Sequence, residues 1–343
     1  MTIKETLTYR DIAEIPGLLE DFSARAGELK KAALRSRKKT VYLAGRGSSG
    51  NATLFAKYIW ETSAGTITNF IHPHSIFEAV RPLDFRGQAV WAFSQSGKSP
   101  DIVACLEKLM RWGARGVAVT NEADLTKNPL ARLAGRHILL SSSPELPVAA
   151  TKSFILQLWS VLWTAQVWSG CFLKTDFDDT IALVRRLVPG SRVLIPGPGA
   201  AARSGRALFS KVKAARMIGF VGRGPYNAVA DDSALKFREM AKAHALGYSA
   251  AEFLHGPVGA YTRSDFVFLL SPGTELPEDL VKVRRALEER GTPYQAVFQT
   301  KGKFPFNCLL TDIEMKLLAL DLALARGLNP DNPKGLKKVT YTL

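Results

Sequence analysis

The chain has few cysteines and no long apolar stretch, and each shortage excludes a class of protein. Cys105, Cys171 and Cys308 are its three cysteines in 343 residues. An odd number without close spacing argues against both a disulfide framework and a cysteine zinc site. No segment approaches the roughly 20 apolar residues that a membrane-spanning helix requires. The first residues lack the apolar core of a signal peptide, so we expect a cytoplasmic protein without a membrane partner.

Acidic residues are also scarce, since 46 Lys and Arg stand against 31 Asp and Glu, for a net charge of +15. The densest basic cluster lies between Arg25 and Lys39 and contains no aromatic side chains. A binding surface for single-stranded nucleic acid combines basic residues with aromatic side chains on which the bases stack. We interpret this cluster as a solvated face and expect no nucleic-acid partner. A positive field also attracts small anionic substrates.

Apolar runs alternate with helical periodicity through the first half of the chain. The runs lie at 41–44, 89–93, 116–120 and 137–140, and a long apolar helix at 151–167 follows them. This alternation predicts a parallel sheet with helices on both faces. The length of 343 residues suggests two such domains.

The second half repeats landmarks of the first at a nearly constant spacing. Gly45-Arg46-Gly47 returns 177 residues later as Gly222-Arg223-Gly224, and Ser94 returns 177 residues later as Ser271. This repetition predicts a duplicated α/β domain, with a strand at 193–195 beginning the second copy. The predicted organisation is an N-terminal helical segment at 1–35, a first domain at 36–168, a linker at 169–184, and a second domain with a C-terminal tail at 185–343.

Two polar loops of the first half follow predicted strands and precede predicted helices. One reads Gly-Arg-Gly-Ser-Ser-Gly at 45–50, and the other contains Ser94, Gln95, Ser96 and Ser99. Ligands of open α/β sheets bind beyond the carboxyl ends of the strands, and helix N-termini favour anions. The two loops together predict a phosphate site built from hydroxyl and amide groups.

Neither loop has the pattern of a P-loop. Residues 45–50 match a dinucleotide fingerprint, but residues 66–75 lack the acidic group that would bind the ribose. For either loop alone, an ordinary turn with helix-capping serines is an open alternative.

The second half offers fewer candidate catalytic side chains. Lys236 and Glu239 share one face of a predicted helix, where a surface ion pair is the alternative to a catalytic role. His255 lies in a turn before Gly256-Pro257. His72 and His74 flank a proline without a nearby carboxylate or cysteine, so we expect no metal.

Six segments together carry a family resemblance: Gly47-Ser48-Ser49, 94–101, 148–154, 235–239, His255-Gly256-Pro257 and a lysine near the C-terminus. The chain resembles the sugar isomerase (SIS) family in its double-domain form. It is similar to the isomerase half of glucosamine-6-phosphate synthase and to stand-alone glucosamine-6-phosphate deaminases. The resemblance implies two tandem flavodoxin-like domains, paired as a homodimer with shared active sites, and no cofactor.

The resemblance also implies a role for each matching residue. Glu239 would move a proton between C1 and C2 of the sugar, His255 would open the ring from a neighbouring subunit, and Lys338 would meet the open-chain carbonyl. The phosphate would be held by Ser49, Ser94, Gln95, Ser96 and Ser99. Further substrate contacts would come from Gly47, Ser48, Val148 and Lys236.

This chain departs from the synthase at three points. Lys98 stands where the synthase has an acidic residue, and Ala150 replaces a serine that contacts the substrate there. No N-terminal glutaminase with its leading cysteine is expected either, and so no enclosed source of ammonia. We therefore expect the reverse reaction, in which an amino sugar phosphate gives a ketose phosphate and free ammonia.

Two other functions stay open at this stage. A fructosamine-6-phosphate deglycase would keep a comparable core with a larger pocket. A non-catalytic sugar-phosphate sensor would usually carry a DNA-binding domain, and about forty residues before the first strand are too few for one. The joint presence of Glu239, His255 and Lys338 favours catalysis.

Overall fold

The computed structural model describes residues 2–190 and 200–338. They form two compact units. The first unit combines Glu14–Glu145 and Lys152–Thr175 with residues 337 and 338. The second unit combines residues 2–13, Leu146–Thr151 and the described part of Asp176–Leu336. None of the helices formed by described residues has the length and apolar character needed to cross a bilayer.

The first unit is built on a parallel sheet of five strands in the order β2-β1-β3-β4-β5. Burial of β3 and β4 on both faces explains their continuous apolar sequences. The strands are β1 (Thr40–Ala44), β2 (Ile67–Phe70), β3 (Ala89–Phe93), β4 (Arg115–Thr120) and β5 (His137–Leu139).

Seven helices lie wholly or mainly in this unit, although α1 also contributes to the second unit. They are α1 (Leu7–Ala24), α2 (Ala26–Ser36), α3 (Gly47–Ala64), α4 (Pro73–Phe77), α5 (Pro100–Arg111), α6 (Pro129–Ala134) and α7 (Lys152–Ser169). The predicted apolar face of α3, which includes Phe55 and Ile59, is buried. Helix α7 is buried along most of its length, which explains why it is apolar on every side.

The described residues of the second unit form a parallel sheet of four strands in the order β7-β6-β8-β9. Its strands are β6 (Ile218–Gly222), β7 (Ala245–Ser249), β8 (Phe266–Pro272) and β9 (Tyr294–Gln299). Its helices are α8 (Lys174–Gly190), α9 (Ala200–Ala214), α10 (Pro225–Ala241), α11 (Ala250–Leu254), α12 (Glu278–Arg290) and α13 (Asn307–Ala325). Helices α10 and α13 pack against each other.

The two sheets confirm the predicted fold class, because four strands of each follow one order around equivalent central strands. The predicted strand at 193–195 lies outside the described residues. Helix α8 occupies most of the predicted linker at 169–184. The domain boundaries themselves remain a prediction.

Candidate functional site

The two polar loops of the first unit lie at one edge of its sheet, where the chain order reverses. Strand β1 pairs with β2 on one side and with β3 on the other, and Ala44 aligns with Ala92. The loops that follow β1 and β3 therefore leave the sheet side by side. This reversal is the usual ligand site of an open α/β sheet.

The loop after β1 brings its backbone unusually close to helix α3. A Cβ atom added to Gly45 would lie 2.7 Å from the carbonyl oxygen of Ser49, so only glycine fits this position. Gly47 begins α3 with a φ of 52°. This tight turn exposes the free N–H groups of the first helical turn at the sheet edge.

Ser48 and Ser49 lie in that first turn and are both 8% exposed. Ser48 Oγ has no hydrogen-bond partner among the described residues. Gln157 Nε2 donates to Ser49 Oγ at 2.9 Å, which leaves the Ser49 hydroxyl hydrogen available to another acceptor. Both hydroxyls can therefore donate to a bound anion.

The loop after β3 is folded on itself by a pair of hydroxyl groups. Ser94 Oγ and Ser99 Oγ are 3.1 Å apart, and the Ser96 hydroxyl accepts from the backbone N–H of Lys98. Gln95 is half-buried. Ser99 is the N-cap of α5 but makes no side-chain cap, and its hydroxyl instead contacts that of Ser94 within the loop.

Gly97 is the position on which this loop depends. Its φ is 67°, and an added Cβ would lie 1.9 Å from Oδ1 of Asn128. Asn128 in turn caps α6 by accepting from the N–H of Ala131. The loop is therefore held between two helices before any ligand binds.

One ion pair lies between the two loops. Arg46 Nε donates to Asp101 Oδ2 at 2.8 Å, and the Arg46 side chain is 52% exposed. Because Asp101 balances this guanidinium, the loops offer hydroxyl and amide donors together with the exposed ammonium of Lys98. Such a set suits a phosphate dianion at helix N-termini.

The polar centre of the second unit lies on α10. Lys236 Nζ donates to Glu239 Oε2; the Lys236 side chain is fully buried and that of Glu239 is 23% exposed. The pair is therefore not the surface ion pair that remained an alternative on sequence grounds. A carboxylate held by a buried ammonium and still open to solvent can accept and return a proton.

One further charged cluster extends this centre. Lys316 Nζ on α13 donates to Asp232 Oδ2 on α10 at 2.7 Å and also to Asp312 Oδ2, and all three side chains are fully buried. Burial raises the pKa of Asp312, and the negative charge of Asp232 adds to that rise. The positive charges of Lys316 and Lys236 oppose it.

The remaining predicted residues lie elsewhere in their units. His255 ends α11 and is exposed, with its backbone N–H bonded to Ala251 and Glu252. Val148 is half-buried in the second unit, where its N–H donates to the carbonyl of Asp331.

Lys338 is exposed, and its ammonium donates to the backbone carbonyl of Glu145 in the first unit. The Glu145 carboxylate accepts from both the N–H and the hydroxyl of Ser153 at the start of α7. Lys338 is thus hydrogen-bonded to the residue that also binds the first turn of α7.

Sequence reasoning missed Gln157, Asp232, Asp312 and Lys316. A signal was present for the last two, since they are an oppositely charged pair four residues apart in a largely apolar helix. Gln157 carries no comparable signal. No group of three or more potential metal ligands occurs in the part of the chain that the structure describes.

Comparison with known proteins agrees with these two sheets. The SIS domain family matches residues 34–166 and 211–302. The chain is 26% identical over 356 residues to glutamine–fructose-6-phosphate aminotransferase (isomerizing) of Clostridium tetani, covering 98% of this chain and 56% of that protein. It spans about half the length of the curated relatives it matches, 42% and 56% in two of them.

Two solved structures superpose over nearly the whole chain. A protein assigned as a phosphosugar isomerase from Silicibacter pomeroyi is 27% identical with a TM-score of 0.80, covering 95% of this chain and 100% of that one. The glucosamine-6-phosphate deaminase of Thermotoga maritima is 23% identical with a TM-score of 0.74, covering 94% and 99%. The second likeness establishes the shared fold.

Proposed function

This chain belongs to the SIS domain family, and we propose that it deaminates an amino sugar phosphate with isomerisation. The substrate is glucosamine 6-phosphate or an epimer, and the products are a ketose 6-phosphate and ammonia. The observation that carries the proposal is the partly exposed Glu239 carboxylate beside the buried Lys236 ammonium.

The reaction is a proton shift followed by hydrolysis. Glu239 removes the proton from C2 of the open-chain sugar, and the electron pair forms a double bond between C1 and C2. The π pair of the C1 carbonyl moves to O1, which takes a proton from solvent, so the product is an enolamine with a hydroxyl group on C1. Return of the proton to C1 leaves an imine at C2, which water converts to a ketone as ammonia departs. General base catalysis of this kind needs a positioned carboxylate and no redox step.

The other proposed roles follow the chemistry of each side chain. His255 exchanges protons with the ring oxygen during opening, and Lys338 meets the open-chain carbonyl or stabilises the enolamine. Ser49, Ser94, Gln95, Ser96 and Ser99 hold the phosphate. The buried, unpartnered Ser48 hydroxyl supports a ligand at the same loops, with Gly47, Val148 and Lys236 as further contacts.

The direct test is release of ammonia from a panel of 6-phosphorylated amino sugars, with the ketose phosphate identified by chromatography. We expect release from at least one epimer and none from the unphosphorylated sugar. Fructose 6-phosphate without an amine tests simple isomerisation, and a fructosamine 6-phosphate tests the deglycase. Turnover of either one in place of the amino sugars would reject deamination.

We further propose a homodimer in which His255 serves the neighbouring subunit's site. Co-expression of Glu239→Gln with His255→Ala tests this assignment, because a mixed dimer would contain one intact site. About a quarter of wild-type activity should return, since half of the dimers are mixed and each has one good site of two. No recovery, or an active species near 37.5 kDa in light scattering, would contradict the shared site.

A further inference from the structure

Five charged side chains meet where α10 packs on α13 in the second unit. Three lie along one face of α10, namely Asp232, Lys236 and Glu239, and two lie one turn apart on α13, namely Asp312 and Lys316. Four of the five have no exposed side-chain surface. Burying so many charges is rarely the most stable way to fill a core.

The fold itself does not require these charges. At the 177-residue spacing that relates the two halves, α3 has Phe55 where α10 has Asp232, and Ile59 where α10 has Lys236. Phe55 and Ile59 are buried, 0% and 1% exposed. An apolar helix face therefore fills the equivalent place in the first unit, which points to a functional reason for the charged face.

Lys236 lies between two carboxylates of its own helix. Asp232 precedes it by four residues and Glu239 follows it by three, so both are within reach of one ammonium on a helix face. Lys316 already donates to Asp232 Oδ2 at 2.7 Å, and Lys236 donates to Glu239. The lysine from α13 thus supplies the counterion that Asp232 would otherwise take from Lys236.

We infer that Lys316 is a positioning residue: by neutralising Asp232 and Asp312, it keeps the Lys236 ammonium on the Glu239 carboxylate. The inference rests on the proposed role of Glu239 and adds a residue whose ammonium donates to the carboxylates of Asp232 and Asp312. The charge of Lys236 acts on Asp312 as well, so the two groups of charges are electrostatically connected.

Lys316→Met tests this inference by removing the ammonium while keeping the length of the side chain. We expect Lys236 to turn to Asp232 and kcat to fall by about tenfold or more, with KM within about twofold. In a Glu239→Gln background the same change should cause no further loss, because Lys316 acts through Glu239. Independent, multiplying losses would overturn the inference.

Asp232→Asn in the Lys316→Met background is the rescue variant. With the competing carboxylate gone, Lys236 should return to Glu239, and kcat should recover to within about threefold of wild type. This double variant removes one charge of each sign, so it remains informative where Lys316→Met alone does not fold. A folded double variant without turnover would overturn the inference.

Asp265→Asn is the matched control, because Asp265 is a fully buried carboxylate of the same unit that pairs with Arg216 and lies outside α10 and α13. Its turnover should match wild type. Crystal structures of Lys316→Met and the rescue variant decide the inference without any assay: an unmoved Lys236–Glu239 pair in Lys316→Met rejects it. If wild type released no ammonia, only the proposed function would fail.

Discussion

The two units share one sheet order and differ in the polar groups that they place on it. Each has an arginine after its first central strand that pairs with an aspartate in the first turn of a later helix. Arg46 pairs with Asp101 at 2.8 Å, and Arg223 pairs with Asp279 at 3.3 Å. The duplication therefore extends to an ion pair at the sheet edge.

The groups around that ion pair have diverged. Ser94 keeps its hydroxyl on Ser99, whereas the equivalent Ser271 is fully buried and donates to the backbone carbonyl of Glu275. The helix that follows Ser99 corresponds to one preceded by Pro277, which has no hydroxyl. The first unit thus presents neutral donors at its strand ends, while the second buries charges between helices. One scaffold can supply either kind of site, because strand order is independent of loop chemistry.

The largest expected effect concerns the charged centre of the second unit. Glu239→Gln keeps the shape of the side chain and removes its basicity, so kcat should fall by at least about a hundredfold while binding survives. Exchange of the C2 proton with solvent, followed by NMR, should disappear in parallel. Glu289→Gln, an exposed site on α12, is the control. A Glu239→Gln protein with wild-type turnover would show that the pair is only structural.

The next effect concerns the loop after β3 in the first unit, the proposed phosphate site. Gly97→Ala should lower the free energy of unfolding by about 2–3 kcal/mol, because the residue has a positive φ and its new Cβ would collide with Asn128. Gly273→Ala is the counterpart in the second unit, with a φ of 80° and nothing within 4 Å. It should cost only about 1 kcal/mol. If urea unfolding showed the same loss of unfolding free energy for both variants, the Asn128 side chain would have to move aside without destabilising the fold.

A smaller effect distinguishes the two equivalent serines. Ser94→Ala removes a proposed phosphate donor, so KM for the sugar phosphate should rise about tenfold, or about 1.4 kcal/mol, with kcat nearly unchanged. Ser271→Ala should leave KM unchanged and cost about 1 kcal/mol of stability, because it removes a buried hydrogen bond to Glu275. If both variants raised KM equally, the proposed phosphate site at Ser94 would be contradicted.

The smallest effect concerns two glutamates whose contributions to folding stability should change with pH in opposite directions. Burial raises the pKa of Glu314 to about 7, opposed by the charge of Lys301 and a hydrogen bond from Gln299. The folded state therefore holds this proton more tightly, and stability is lost as the pH rises from about 4.5 through about 7. Glu314→Gln should be more stable than wild type at pH 8 by on the order of 1 kcal/mol, and equal to it near pH 4.

Glu61 in the first unit should behave in the opposite way. Burial alone would raise its pKa, but hydrogen bonds from Lys57 and Thr68 outweigh burial and lower it. Its contribution to stability is present above the ordinary pKa and is lost as the pH falls. Glu61→Gln should therefore destabilise the protein at pH 8, by urea unfolding. If Glu314→Gln and Glu61→Gln changed the stability at pH 8 in the same direction, the opposite pKa shifts of the two carboxyls would be contradicted.

The amino-acid sequence by itself determined the architecture and the position of the polar loops. Buried strands such as Ala89–Phe93 must be apolar on both faces, and glycine must follow them where the backbone turns closely, as at Gly45. These constraints act between neighbours in the chain, so they can be read from spacing. The spacing of Lys236 and Glu239 can be read in the same way, because residues three apart share a helix face whether that face is buried or exposed.

Only the tertiary structure decided how deeply those groups are buried and which groups they contact. Lys236 is fully buried on a helix that packs against α13, and Lys316 reaches Asp232 from 84 positions further along the chain. Gln157 likewise reaches Ser49 across 108 positions. Local periodicity does not predict such contacts, because the geometry with which two helices pack decides which of their side chains meet.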